Sequence, residues 1–350
     1  MTEQEIPTIE TSLLRGFRFA CRPDCGLCCY AEPRVETTER AALVQILPET
    51  AFRTAGPNAF LAARPNGGAC QFLDGQRCRA HALRPHPCRE YPLTVHVGRR
   101  LQAAVVLSCP GLDLAPLLHD ERTGDLAPPE GLSDELEALL ARRGPTTARR
   151  LADAARRGRR VERILTEERR WQPDEVVRRD LVDHLPLPGR EDFPVEEPPA
   201  KDQGLSSLPL FFDGRPGPVA IASGLGGWEM VELAPAGGGR TLDLVVPPAQ
   251  PPLLTSDAER LLEGYLQHWL RRDAFLAAVQ LEMLEGAEGS VTEWARASLR
   301  ALGALTVARG SSRAKLTGRD GARLSDVDVA AGIRAVDQDG LDRPTWGDRF

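Results

Sequence analysis

All eight cysteines of this 350-residue chain fall between positions 21 and 109. Four of them, Cys21, Cys25, Cys28 and Cys29, occupy the nine-residue run CRPDCGLCC; Cys70, Cys78, Cys88 and Cys109 follow. Thiols this close cannot pair off as ordinary disulfides, because Cys28 and Cys29 are neighbours and Cys25 precedes Cys28 by only three positions. Metal ligation is the chemistry such spacing serves. Zinc takes four Cys or His ligands in a tetrahedron, and an iron–sulfur cluster takes about four thiolates. The candidate ligands are all eight cysteines together with His81, which stands three residues after Cys78; His86, between two prolines, is less well placed. This donor set could fill two tetrahedral sites, and spacing alone does not choose between zinc and a cluster. Cys28 and Cys29 are expected to point in different directions, so that a single ion takes only one of them. The alternative to metal is a group of buried structural thiols. Arg84, Arg89 and Tyr91 are candidate supporting groups, since a guanidinium neutralises thiolates and a tyrosine hydroxyl can bond sulfur.

Something must bring these positions together. Residues 11–20 (TSLLRGFRFA) alternate apolar side chains and predict a short strand delivering Cys21. Pro23 and Gly26 make CRPDCGLCC a tight loop, whose free N–H groups can bond thiolate sulfur. Thr37 or Thr38 is placed to cap a helix reaching about Leu47, where Pro48 ends it. A second short helix is read over residues 52–63. Cys70 opens a hairpin that turns at Asp74-Gly75 and returns Cys78 beside it. A helical turn from His81 stops at Arg84-Pro85, and two alternating strands over residues 93–97 and 101–107 lead to Cys109, where Pro110 and Gly111 turn the chain away.

The run CRPDCGLCC, followed by C-x-F-L-D-x-x-x-C-x-x-H-x-x-RP-x-x-CRxYP and a final LSCP, resembles the YkgJ-type cysteine-cluster family, whose members are described as zinc- or iron-chelating or iron–sulfur proteins. Flagellin lysine N-methylases carry a similar cluster. The resemblance covers about Cys21 to Gly111. One departure is that three residues separate Cys21 from Cys25, where the family motif CxxCxxCC has two. The Cys21-x3-Cys25-x2-Cys28 spacing also matches radical S-adenosylmethionine enzymes, but no succession of βα units follows it, and five further cysteines are surplus to that chemistry.

The rest of the chain carries fewer signals. Residues 133–171 have a helical pattern interrupted at Gly144-Pro145, with arginine doublets at 142–143, 149–150 and 156–157 on one face; interleaved acids make it a solvated face rather than a nucleic-acid strip. Residues 185–218 are rich in proline and charge and read as a linker. Three strands over residues 219–222, 228–233 and 241–246 predict an antiparallel meander, with Ser223 to Gly227 as a plain hairpin turn. Capping boxes at Ser256/Glu259 and Ser290/Glu293 open two helices. The apolar stripe Leu261, Leu262, Tyr265, Leu266, Trp269 and Leu270, continued by Phe275, Leu276, Val279 and Leu281, is explained by core packing or a homodimer face. Past Arg309 the chain turns polar, with a helix expected near residues 325–336.

The expectation is an α+β protein: a cysteine-cluster domain (1–125), an Arg-rich helical segment (126–184), a Pro-rich linker (185–218), a small meander with helices (219–310) and a polar tail (311–350). Net charge is −6 and no basic field draws it to nucleic acid. No basic, apolar leader opens the chain and no run is long enough to span a bilayer, so a cytoplasmic protein without a membrane partner is expected. The leading function is binding zinc or an iron–sulfur cluster. The alternatives are an iron–sulfur oxidoreductase, a protein lysine methylase as the resemblance implies, and an interaction scaffold with a structural metal.

Overall fold

The computed structural model describes residues 8–118, 132–141, 174–195, 210–211 and 218–342, with single positions within 152–167 and gaps at 23–24, 31, 57, 66–67, 76, 99, 194, 225–226 and 285–287. Of the three arginine doublets only Arg156 lies among these residues. The architecture is α+β, with eight α-helices and several small sheets among the described residues.

The thiol-bearing part consists of short pieces: β1 (Ile9–Glu10), β2 (Arg34–Val35), α1 (Thr37–Leu43), β3 (Phe52–Ala55), β4 (Asn58–Leu61), β5 (Leu73–Asp74), β6 (Arg77–Cys78), α2 (His86–Glu90), β7 (Leu93–Val97) and β8 (Leu101–Val105). They form three small sheets, in the orders β1-β8-β7, β2-β4-β3 and β5-β6. The hairpins around Asp74-Gly75 and over 93–105 follow the sequence reading. Three expectations are corrected. The strand over residues 11–20 is instead a 3₁₀ turn (Ser12–Leu14) followed by a single antiparallel bridge from Phe19 to Leu112, because Leu13, Leu14 and Phe17 are all buried and no alternation survives. The helix over residues 52–63 is the β3–β4 hairpin, turned by Gly56 at φ +56, a conformation that favours glycine. The first helix is capped not by a threonine but by Glu36, whose N–H donates to Glu39 Oε2 at 3.1 Å, and it ends at Leu43.

The remainder comprises α3 (Asp134–Ala141), α4 (Asp174–Val182), β9 (Leu210–Phe211), β10 (Val219–Gly224), β11 (Gly227–Leu233), β12 (Gly239–Val245), β13 (Leu253–Leu254), α5 (Ser256–Leu270), α6 (Asp273–Leu284), α7 (Val291–Leu316), β14 (Arg323–Leu324) and α8 (Asp326–Asp342). The meander is as expected but gains β9 as a fourth strand, in the order β12-β11-β10-β9. Helix α5 starts one residue earlier than its sequence box implies, since Thr255 rather than Ser256 accepts from the N–H of Ala258, at 3.3 Å. At α7 the expected box forms, with Ser290 N–H donating to Glu293 at 2.7 Å and Glu293 N–H to Ser290 Oγ at 3.2 Å.

The helix expected near residues 325–336 is present as the longer α8, and residues 311–316 of the stretch read as a polar tail complete α7, with Leu324, Val329, Ile333 and Ala335 buried. Their polarity misleads because α7 and α8 pack through small residues: a Cβ on Gly332 would collide with the Thr306 carbonyl, and one on Gly310 would lie 2.7 Å from the Asp328 carbonyl. Backbones that approach this closely need no long apolar side chains between them. The stripe from Leu261 to Leu270 is buried within the chain's own core apart from half-buried Trp269.

That core also joins the two parts. One apolar cluster runs from Leu14, Phe17, Leu107 and Leu117 to Leu266, Leu299 and Ile333. Gly264 of α5 sits against the carbonyl of Leu117, where any side chain would clash. Buried Asp273 accepts from Arg100 Nε at 2.8 Å and Arg178 Nη2 at 2.7 Å, which fastens β8 and α4 to the start of α6. No helix among the described residues is long and apolar enough to cross a membrane.

Candidate metal centre

Each cysteine is held by a short backbone device. Gly26, at φ +62, starts the 3₁₀ turn Leu27–Tyr30, and its carbonyl accepts from Cys29 N–H at 3.0 Å. Cys29 O then accepts from Cys70 N–H at 2.6 Å, which brings the second cysteine group against the first. Cys78 ends the β5–β6 hairpin opposite Leu73, and Cys88 sits in α2 behind Pro85. Cys21 is tied to Cys109 by the Phe19–Leu112 bridge and by Ala20 N–H donating to Gly111 O at 3.0 Å. Position 111 must be glycine, since a Cβ there would collide with Ala20 O.

A repeated local motif surrounds the sulfurs. Cys25, Cys70, Cys78 and Cys109 each accept a backbone N–H from the residue two further on: Leu27, Phe72, Ala80 and Gly111. The first of these measures 3.4 Å. Such bonds favour the thiolate form that a metal requires.

All eight thiols are free, and the other seven lie within electrostatic reach of Cys28. The charge of Cys28 raises the pKa of every one of the other seven. Burial is the larger cause for six of them, pushing Cys25 to about 11 and Cys109 to about 12. Cys28 alone moves down, to about 7, because Cys29 donates a hydrogen bond to it and Arg84 lies nearby. The same bond, with burial, drives Cys29 up. The two neighbouring side chains are thus close enough to hydrogen-bond to each other, whereas they were expected to point in different directions.

Three apolar clusters abut at the thiols. Cys25 and Cys29 pack against Leu27, Ala69, Ala220 and Val231; Cys29, Cys70 and Cys78 against Leu43, Leu61 and Phe72; Cys109 belongs to the main core. The positive charges around them are Arg84, whose field lowers Cys21, Cys28, Cys78 and Cys88, Arg22 beside Cys25, Arg64 beside Cys70, and Arg334 beside Cys109. Burial lifts the Tyr91 hydroxyl well above its ordinary value, with Cys109, Cys28 and Cys25 around it.

Of the other sequence candidates, Arg84 and Tyr91 reach the thiols, whereas Arg89 is paired with Glu39 at 2.8 Å. His81 is exposed, and its carbonyl accepts from Arg84 Nε at 3.2 Å. His86 is paired with Glu90 at 3.1 Å. Sequence reasoning missed Tyr30, Arg64 and Arg334. Tyr30 is pushed to about 12 by burial and then by Cys29. The guanidinium of Arg64 donates to the carbonyls of Pro235 at 3.0 Å and Leu73 at 2.8 Å, pinning the cysteine loop to the β11–β12 turn. Nothing in the local sequence of Arg64 or Arg334 sets them apart from other arginines.

Among the described residues, no three His, Cys, Asp or Glu side chains stand close enough together, as placed, to grip one ion. The fit to a metal rests on the donors: eight reduced thiols, four with a backbone N–H on sulfur, and arginines to balance their charge. Thiolates of this kind suit zinc and iron–sulfur centres.

Residues 20–110, about a quarter of the chain, match the family model CxxCxxCC, described as "Putative zinc- or iron-chelating domain". The sequence resemblance to the cysteine-cluster family holds over that stretch, and the implied cofactor is zinc or iron, with its identity open. No curated protein and no solved structure matches the chain.

Proposed function

We propose that the chain is a metal-binding protein whose clustered cysteines hold zinc or an iron–sulfur centre. The observation that carries this reading is the set of eight free thiols, seven of which lie within electrostatic reach of Cys28. In this reading Cys109 belongs to the main core, Cys25 and Cys29 to the cluster around Leu27, and Cys70 and Cys78 to the cluster around Phe72. Eight thiols exceed the four that one tetrahedral zinc takes, so the set suits either two zinc ions or a cluster with thiols to spare. Bound metal would supply a rigid cross-link between segments that share little regular structure. Arg84, Arg64 and Arg334 would offset the thiolate charge, and His81 would lie outside the ligand set. Free thiols in this number suit a reducing compartment, the cytoplasm.

Metal and acid-labile sulfide analysis, with a visible spectrum, on protein purified without oxygen tests the proposal. Brown protein with iron, sulfide and absorbance near ~400 nm supports a cluster. Colourless protein with stoichiometric zinc supports closed zinc sites. Folded protein that takes up neither zinc nor iron would overturn the reading.

A further inference from the structure

We infer that the C-terminal helix α8 is part of the support of the metal centre, with Arg334 and Asp337 as positioning residues for the Cys109 turn. The inference rests on the metal-centre reading for its purpose, though not for its geometry.

Asp337 Oδ2 accepts from the backbone N–H of Leu107 at 2.5 Å. Arg334 donates through Nη1 to the carbonyl of Cys109 and through Nη2 to that of Leu112 at 3.1 Å. Arg334 and Asp337 are three positions apart on one helix and so share a face. Two side chains thereby hold three main-chain groups of a single turn, across 222 to 230 positions of sequence. Asp337 is itself held by Arg272 Nη2 at 3.3 Å, with both side chains buried.

The hold extends beyond Cys109. Gly111 of the same turn bonds Ala20, and Leu112 bridges Phe19, so the chain entering Cys21 is anchored to whatever anchors this turn. The hairpin thiols Cys70 and Cys78 depend on other contacts, chiefly Cys29 O and Arg64. A planar guanidinium forks two carbonyls at fixed separation, which a lysine ammonium cannot do. The device therefore requires arginine geometry as well as positive charge.

The test uses the full chain with Arg334→Ala, Arg334→Lys and Asp337→Asn, and follows the alkylation rate of each cysteine by peptide mass mapping, in zinc-loaded and in metal-free reduced protein. In Arg334→Ala, Cys109 and Cys21 should react about tenfold faster while Cys70 and Cys78 keep their rates, and a chelator should strip zinc about tenfold faster, the scale of lost outer-shell support. Arg334→Lys should recover little of this, and Asp337→Asn should lie between wild type and Arg334→Ala. If Arg334→Ala does not fold, the lysine variant carries the comparison. Equal acceleration of all eight thiols, or none at Cys109 and Cys21, would overturn the inference. A wild type that binds neither zinc nor iron would remove the metal-centre reading alone, because selective exposure of Cys109 and Cys21 would still be read in the metal-free protein.

Discussion

The two parts of this molecule reach order by different means. The longest regular element of the thiol-bearing part is the seven-residue α1, and several of its strands are two residues long. The C-terminal part contains the 26-residue α7, capped at its start and packed against α8 along glycine and alanine. Elements as short as those of the first part bring little stability of their own, because each closes few hydrogen bonds for the backbone entropy it loses. Its segments are held by short strand pairs and single bridges, by arginine side chains on carbonyls and by small apolar clusters. The lesson is that the first part is built to be completed by something else, a bound metal on one side and the C-terminal helices on the other.

Stripping the metal is the most severe way to probe that contrast. With a strong chelator, amide exchange across residues 12–112 should accelerate by orders of magnitude while α5 to α8 stay protected, since structural metal sites contribute several kcal/mol to folding. Cys28→Ser should reproduce the effect without chelator and cut bound metal by more than half. Uniform exchange in both parts would dissolve the contrast.

Next in size is the joint between the parts. Gly264→Ala forces a methyl into the Leu117 carbonyl. A loss of roughly 2–4 kcal/mol in the urea midpoint is expected, on the scale of severe overpacking. An unchanged midpoint would mean that the parts are not mutually braced at this point.

Acid sharpens the comparison from the other side. Burial, with Arg272 nearby, pushes His96 down to about 3 and His268 well below its ordinary value, with Arg271 and His96 also facing His268. Both imidazoles stay neutral when folded and protonate when unfolded below about 6.5. The unfolded state then binds more protons, so stability falls as pH drops below about 6.5, and for His96 continues to fall toward about 3. The slope should reach about 1.4 kcal/mol per pH unit for each imidazole. Denaturation midpoints at pH 7 and 5.5 measure it, and His268→Gln should flatten the curve.

The smallest effect is expected at an exposed helix start. Ser290→Ala removes the cap of α7 and should cost about 1 kcal/mol, seen as a lower thermal midpoint with metal content unchanged. A change in metal content would show that the helical part governs the thiols through α7 as well as through α8.

Much of this was legible in the residues. Turn chemistry located the β5–β6 hairpin, alternation located β7, β8 and the meander, and the Ser290/Glu293 box located α7, because those signals act within a few residues. The thiols declared a metal site by number and spacing. The strand expected before Cys21 failed because burial of Leu13, Leu14 and Phe17 overrode their alternation, and the helix expected over residues 52–63 gave way to a hairpin turned at Gly56. Leu13 and Leu14 are both enclosed by distant elements, and small residues in α7 and α8 read as polar until the two backbones meet. Sequence by itself thus determined the candidate donors and several of the local turns that carry them. Only the tertiary structure decided that Cys28 lies within electrostatic reach of the other thiols, that Arg64 and Arg334 stand beside them, and that the last helix grips the Cys109 turn. Arg64 finds Pro235 and Arg334 finds Cys109 across 171 and 225 positions, and no local pattern of charge or hydrophobicity encodes which distant partner a buried arginine will find.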